Sequence, residues 1–470
     1  MPILAIAQPP DSLWSRTYGG TSGELCYSVQ ETSDGGYILA GSTRSFGAGL
    51  DDFWLVKTDA NGDSLWSRTF GGDRSETCHS VQQTTDGGYI LAGNSMSFGP
   101  GWLSYWLVKT DANGDSLWSR AYGGDGFQTC YSVHQTSDGG YILAGKSDSF
   151  GSDVWDIWLL KTDSNGDSIW NRVFGSDGND ECYSAQQTSD GGYVLAGAIY
   201  SFEFESFDSW LIKTDADGNC LWNRTYGGID GESCNSVQQT SDGGYILAGT
   251  TSSFGAGWRD FWLLKTDADG DSLWSRTFGG SDLDWCNSVR QTSDGGYILA
   301  GQSIGSLGFF DFWVVRTDAH GDSLWGRSFG GDSTDVCQSV QQTSDGGYVL
   351  AGWTNSFGAG GADFWLVKTG PELAAERYEV SLPEEYTLHQ NWPNPFNPST
   401  QISYDLPKMD HVMLTVYDLL GREVRMLANG ANAAGNHTLV FDGYSLPAGI
   451  YFYRLQVGSF AVAKKMVLLK

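Results

Sequence analysis

Basic residues are scarce in this sequence: 27 lysines and arginines stand against 56 aspartates and glutamates, a net charge of −29 over 470 residues. Nucleic-acid affinity comes largely from Lys and Arg displacing phosphate counterions, so the balance argues against DNA or RNA as a partner. Long apolar runs are also missing, and no stretch reaches the length of a membrane-spanning helix. Residues 11–369 carry neither a 3.6-residue hydrophobic period nor helix-capping signals, which argues against a βα solenoid. Catalytic constellations do not stand out either. The six histidines, His79, His134, His320, His389, His411 and His437, do not recur in register, and there is no His-Glu-x-x-His motif.

What the sequence does have is repetition. The string Asp-Ser-Leu-Trp or a near copy recurs seven times, placing Trp14, Trp66, Trp118, Trp170, Trp222, Trp274 and Trp325 at intervals of 52 residues, the last of 51. That period suits one four-stranded blade. Within a period, Cys26–Thr32, Tyr37–Ser42, Phe53–Thr58 and Leu65–Phe70 read as strands. The links Ser33-Asp34-Gly35-Gly36 and Asp59-Ala60-Asn61-Gly62 supply the positive φ of tight hairpins and stay short in every repeat. The other two links vary, and alternating hairpins put both on one edge, so one face is uniform and the other variable. The expected fold is all-β: a seven-bladed β-propeller over 11–369, in which the N-terminal strand Ser12–Tyr18 completes the last blade and removes a free sheet edge.

Seven tryptophans on third strands (Trp54, Trp106, Trp158, Trp210, Trp262, Trp313, Trp365) and the seven on outer strands are expected to wedge between blades. Trp102, Trp155, Trp258, Trp285 and Trp353 fall on or beside variable links and are the candidates for ligand contact. Seven of eight cysteines (Cys26, Cys78, Cys130, Cys182, Cys234, Cys286, Cys337) hold one position in successive inner strands; blade spacing should keep them too far apart for disulfides, so buried thiols are expected, with Cys220 in an outer strand. Two residues before them stand Glu24, Glu76, Gln128, Asp180, Glu232, Asp284 and Asp335. These are expected to ring the channel mouth, where oxygen donors could hold Ca²⁺ or a cationic ligand, or else to pair with the equally recurrent Arg16, Arg68, Arg120, Arg172, Arg224, Arg276 and Arg327. No other metal or cofactor is indicated; hairpins such as Asp59–Asp63 lack the terminal Glu and flanking helices of a calcium loop and read as turns.

The repeat resembles the bacterial β-propeller repeat family of secreted and surface proteins, through Asp-Gly-Gly-Tyr-Ile-Leu-Ala-Gly at 34–41 and Phe-Trp-Leu-Val-Lys-Thr-Asp at 53–59. A weaker similarity to quinoprotein propellers, through Asp59, Gly62 and Trp66, is off by one residue in spacing and reflects shared packing.

After Thr369 the repeat stops. Residues 370–387 read as a linker and 388–470 as short strands with Gly turns, a small immunoglobulin-like β-sandwich. The segments Asn391-Trp392-Pro393-Asn394-Pro395-Phe396-Asn397-Pro398, Val416-Tyr417-Asp418-Leu419-Leu420-Gly421-Arg422, Leu446-Pro447-Ala448-Gly449-Ile450-Tyr451-Phe452-Tyr453 and Lys464-Lys465 resemble the C-terminal sorting domain of type IX secretion cargo, and are similar to the immunoglobulin-like domain of flagellar hook capping proteins. The resemblance implies a sorting motif at Pro393, Asn394, Pro395, Asp418, Gly421, Arg422, Gly449, Tyr451, Lys464 and Lys465. It also implies an outer-membrane secretion machine as partner, and a protein secreted or attached to the cell surface after periplasmic export. At the other end, residues 1–10 read as the remnant of a signal peptide, with Ala5-Ile6-Ala7 as its cleavage site. Two functions are compatible with these features: a surface binding or scaffold module for a glycan or protein, or a secreted polysaccharide-active hydrolase or lyase with carboxylates at the channel mouth.

Overall fold

Each 52-residue repeat becomes one antiparallel sheet because its four β-rich segments are joined by turns too short for any other connection. Blade 1 consists of Glu24–Glu31, Tyr37–Thr43, Asp52–Thr58 and Ser64–Phe70, hydrogen-bonded in that order, and five more blades repeat it. The computed structural model describes residues 9–152, 154–202, 205–305, 307–372, 383 and 385–469. The proposed signal-peptide remnant and linker fall mostly outside the described residues. The seventh blade takes Asp335–Gln342, Tyr348–Thr354 and Asp363–Thr369 from the end of the repeat region and its outer strand, Ser12–Tyr18, from the beginning. Thr17 pairs with Trp365 and Arg16 with Leu366 across this closure. The fold is the seven-bladed ring expected.

Burial follows from position in the ring. The second and third strands of blade 1 are buried at every residue, because neighbouring blades cover both faces of the sheet. Outer strands are largely exposed. Aromatic rings bridge the blades: Trp54 lies 4.6 Å from Phe364 of the preceding blade, and Trp14 meets Tyr37 of the following one edge-on at 5.8 Å. Each such buried ring contributes about 1.5–3 kcal/mol. All seven inner-strand cysteines are buried and free, and Cys220 is exposed.

A latch on the uniform face repeats as faithfully as the tryptophans. Lys57, at the end of a third strand, is 3% exposed, and its ammonium donates to Asp34 (3.0 Å) and to the Thr58 carbonyl (2.8 Å). Asp34 also accepts from the Thr32 hydroxyl and the Gly36 amide. Burial would raise the Asp34 carboxyl, but these donors and the Lys57 charge bring it down to about 2. The same pair recurs at Lys109–Asp86, Lys161–Asp138, Lys213–Asp190, Lys265–Asp242 and Lys368–Asp345, and as Arg316–Asp294 in blade 6.

The C-terminal unit consists of two packed sheets. One holds Thr387–Leu388, Ser399–Leu406 and Gly435–Asp442; the other holds Glu423–Asn432, Asp410–Tyr417, Gly449–Val457 and Phe460–Leu468. Ile402, Leu414, Val416, Phe441, Tyr453 and Met466 meet in its core.

Candidate binding face, channel and export domain

The seven inner strands adjoin one another around the axis and line a channel. Every one of them bulges at the residue after its cysteine: Cys26 pairs with Gly41 and Ser28 with Ala40, leaving Tyr27 without a cross-strand partner. Gly41 permits the close approach, since a Cβ there would sit 1.9 Å from the Leu25 carbonyl. Bulges re-aim side chains. Here they bring Tyr27, His79, Tyr131, Tyr183, Asn235, Asn287 and Gln338 together around a cavity of about 390 Å³ at the channel mouth.

These seven positions differ in a ring that is otherwise nearly symmetric. Four consecutive blades supply aromatic rings, with centroids 4.9 Å apart for Tyr27–His79, 5.2 Å for His79–Tyr131 and 5.4 Å for Tyr131–Tyr183. The other three supply amides. Asn235 and Asn287 each donate to a carbonyl of the next blade at 2.8 Å, Cys286 and Cys337 respectively, which fixes their orientation. Burial lowers His79 to about 4, so its imidazole is neutral at pH 7 and bonded to Asn94. The Tyr183 hydroxyl donates to Glu181, which also receives Lys146 at 2.8 Å. From Tyr183 a second hollow of about 240 Å³, lined by Glu181, Phe207 and Arg259, leads to a third of about 530 Å³ beside Trp258.

The acidic ring lies elsewhere. Glu24, Glu76, Gln128, Asp180, Glu232, Asp284 and Asp335 are 0–2% exposed and do not border the mouth. Glu24 accepts from the Gly20 amide (2.8 Å), the Thr43 hydroxyl (3.0 Å) and the Ser45 amide (3.1 Å), tying two variable links to the sheet; Glu76 and Glu232 do the same. Nor do they pair with the recurrent arginines. Arg16 reaches Asp63 of the next blade's outer hairpin at 3.2 Å, and Arg68, Arg120, Arg224 and Arg276 find Asp115, Asp167, Asp271 and Asp322.

Each buried acid instead faces an aspartate at or near the start of a neighbouring third strand. Beside Gly71, Asp52 Oδ1 and Glu76 Oε2 occupy the same small space, and a Cβ on that glycine would come within 1.6 Å of the former and 2.8 Å of the latter. Burial and the Glu76 charge raise the Asp52 carboxyl above its usual range. The pairing recurs at Asp156–Asp180, Asp208–Glu232, Asp260–Asp284, Asp311–Asp335 and Asp363–Glu24. At the one boundary where the third strand opens with Ser104, the opposing residue is Gln128, so both partners are neutral.

The five candidate tryptophans divide. Trp102 and Trp258 are 63% and 79% exposed. Trp155 is half-buried beneath Lys146, and Trp285, also half-buried, stacks on Phe310 with Arg259 above it. Trp353 is half-buried in a second strand. They do not converge on one site.

In the C-terminal unit the signature residues shape turns and edges. Asn394 accepts from the Val467 amide (2.9 Å) and donates to the Lys465 carbonyl (3.3 Å), pinning the Pro393–Pro395 segment to the last strand. Asp418 closes the turn at Gly421 (φ 77°): it accepts from the backbone of Arg422 and Leu420 and pairs with the Arg422 guanidinium at 2.7 Å, and these donors lower its carboxyl. The Tyr451 hydroxyl donates to Pro447, Gly449 opens its strand, and Lys464 and Lys465 lie side by side on Phe460–Leu468. Leu419, Leu420 and Trp392 are exposed. Residues 390–469 match the family model described as the secretion system C-terminal sorting domain.

The chain carries a type IX sorting domain. It is therefore a β-rich protein that is secreted or attached to the cell surface, and its sorting domain implies interaction with the secretion machinery. No helix among the described residues is long and apolar enough to cross a membrane. Among curated proteins, the regulatory protein FlaEY of Caulobacter vibrioides is 26% identical over 289 residues, covering 51% of this chain and 29% of that protein's length. Among solved structures, PorZ, a surface component of the type IX secretion system of Porphyromonas gingivalis, aligns with a TM-score of 0.45 at 11% identity, over 96% of this chain and 60% of PorZ. A Dyadobacter fermentans protein of unknown function aligns with a TM-score of 0.42 at 12% identity, over 76% and 98% of the two chains.

The sequence pointed to the variable face but not to the residues around its mouth. The signal was available: in the near-copies Cys-Tyr-Ser, Cys-His-Ser, Cys-Asn-Ser and Cys-Gln-Ser, the middle position changes while both flanks persist.

Proposed function

We propose that the propeller is a surface-displayed binding module that takes a glycan or protein on its variable face, centred on the channel mouth. The observation that carries this reading is the split ring at the bulges: contiguous aromatic rings on one side (Tyr27, His79, Tyr131, Tyr183) and amides on the other (Asn235 and Asn287, each held by the next blade, and Gln338), around a cavity of about 390 Å³. Aromatic faces with a few placed polar groups are the common composition of small-ligand sites, and the residues vary where a purely structural ring would repeat. The adjoining hollows reach Trp258, whose exposed ring extends the surface outward. The polysaccharide-active alternative calls for carboxylates at the channel mouth, whereas the six carboxylates of the expected ring are buried at blade boundaries and engaged by backbone amides, and the described residues lining the mouth cavity are aromatic rings and amides.

The test is a glycan array and a pull-down with the exported protein, comparing Tyr131→Ala and Asn287→Ala with Trp102→Ala and Trp258→Ala. Loss of binding in the first pair, with a smaller effect in the second, supports the mouth. Binding lost only in the tryptophan variants moves the site to the rim.

A further inference from the structure

Below the mouth, the channel holds a cavity of about 250 Å³ whose lining shows a second departure from symmetry. Three residues after the bulge begins, five blades carry glutamine. Each side-chain carbonyl accepts an amide of the next blade's inner strand: Gln30 from Gln83 (2.6 Å), Gln82 from Gln135 (2.6 Å), Gln186 from Gln239 (3.0 Å), Gln238 from Gln291 (2.7 Å) and Gln341 from Glu31 (2.9 Å). This belt holds neighbouring blades together around the axis.

Blades 3 and 6 break the belt with His134 and Arg290. Arg290 has no acceptor atom, and His134 receives no amide from the next blade, so each substitution gives up an inter-blade bond. Both replacements bring a basic group to the same cavity, from blades on opposite sides of the ring. Among the described residues, Arg290 is the one group lining the cavity that is charged at neutral pH, and no carboxylate lines it. Its guanidinium donates to the Val289 carbonyl (2.7 Å) and lies 3.4 Å from the Ser236 hydroxyl. These are neutral partners that leave most of its donors free for an ion. A protein with a large acidic excess thus keeps an unpaired cation in its axial channel, where ring symmetry supplies a neutral amide. Local rules are broken at functional positions more often than elsewhere.

We propose that Arg290 and His134 form an anion-binding site within the channel, taking a carboxylate or similar oxyanion of a small ligand that enters through the mouth. The guanidinium forks onto the oxyanion, and the His134 imidazole and the serine hydroxyls of the inner strands complete its hydrogen bonds. Entry is continuous, because Tyr131, Tyr183 and Asn287 border both the mouth and the deeper cavity. The acidic exterior does not forbid this, since surface charges more than about 8–10 Å away are largely screened at physiological salt. The site does not depend on the reading of the mouth as a glycan or protein surface.

Calorimetric titration of the whole protein with acetate, glucuronate, sulfate and neutral glucose tests it, using wild type, Arg290→Gln, Arg290→Lys and His134→Gln. Both glutamine variants restore the residue of the other five blades, so they should melt no lower than wild type, and lost binding cannot be ascribed to misfolding. Saturable binding of at least one anion by wild type, weakened about thirtyfold or more in Arg290→Gln and less in Arg290→Lys, is the expected result. Acetate binding as well as glucuronate would show that the carboxylate alone is read; glucuronate without acetate would show that the sugar ring is read too. The proposal is overturned if wild type gives no saturable heat with any of the three anions, if Arg290→Gln binds as tightly as wild type, or if glucose binds equally well. Such a failure leaves the mouth reading intact, because that rests on the aromatic and amide arcs.

Discussion

At the scale of single residues, the repeated ion pairs on the uniform face set up an asymmetry that mutation can expose. Lys57 is 4% exposed along its side chain while Asp34 is 59% exposed. Removing Asp34 leaves a buried ammonium without its partner, whereas removing Lys57 leaves a carboxylate that water can reach. Asp34→Ala should therefore cost about 3 kcal/mol and Lys57→Met under about 1 kcal/mol in denaturant melts. Equal costs would contradict this account of the latch. The buried acid pairs behave differently, because two carboxyls share one small space beside Gly71. Asp52→Asn removes one charge of the pair, as the Ser104–Gln128 boundary already does, and should leave the melting temperature at pH 7 unchanged or higher. Gly71→Ala should destabilise by several kcal/mol, roughly the cost of forcing an atom into a packed site. The thiols offer a simpler check. Of eight free cysteines only Cys220 is exposed, so a thiol reagent should label one in the native protein and all eight after denaturation.

Among the elements, Ser12–Tyr18 matters most, because it converts a row of blades into a ring. Deleting it exposes the edge of Asp363–Thr369, a strand with hydrogen-bonding groups free to pair with another chain. The truncated protein should melt lower and self-associate on a sizing column; an unaltered monomer would mean that the closure contributes little. This element was legible in advance, since the repeat opens in an outer strand and stops after a third one. The strands and hairpins were legible for the same reason: hydrophobic patterning and Asp-Gly or Asn-Gly turns recur seven times. The bulges were not, because an extra residue in one strand is a property of pairing. A bulge changes which side chains face the axis, and so the mouth fell to Tyr27 and its equivalents instead of Glu24 and its ring. Strand alternation already placed Glu24 on the same side as Cys26, the side expected to be buried. The C-terminal motif was readable residue by residue, because its prolines, glycines and Asp418 each set a turn.

For the whole molecule, charge and export are the governing features. The seven latch aspartates have folded values depressed below the unfolded one, about 2 for Asp34, Asp86, Asp138 and Asp190, so their stabilisation is present above about pH 4 and lost as pH falls toward 2. The paired acids Asp52, Asp208, Asp260, Asp311 and Asp363 are raised by burial and a neighbouring carboxylate, so they favour the fold as they take up protons at mildly acidic pH. Thermal melts should therefore hold or rise slightly down to about pH 4–5 and fall steeply below it; a steady decline starting from neutrality would contradict the acid-pair assignment. Deleting residues 388–470 should strand the protein in the periplasm, and unaltered appearance outside the cell would refute the role of that domain. On the proposed binding role, the face of the ring that meets a partner is the variable one. Hydrogen–deuterium exchange on the intact protein, with and without a partner recovered from the array or pull-down, tests it most directly. Slowed exchange should appear at the inner-strand bulges around Tyr27, Tyr131 and Tyr183 and in the adjoining variable links, with the Asp-Gly-Gly hairpins unchanged. Protection confined to those hairpins would place the partner on the opposite face and contradict the account.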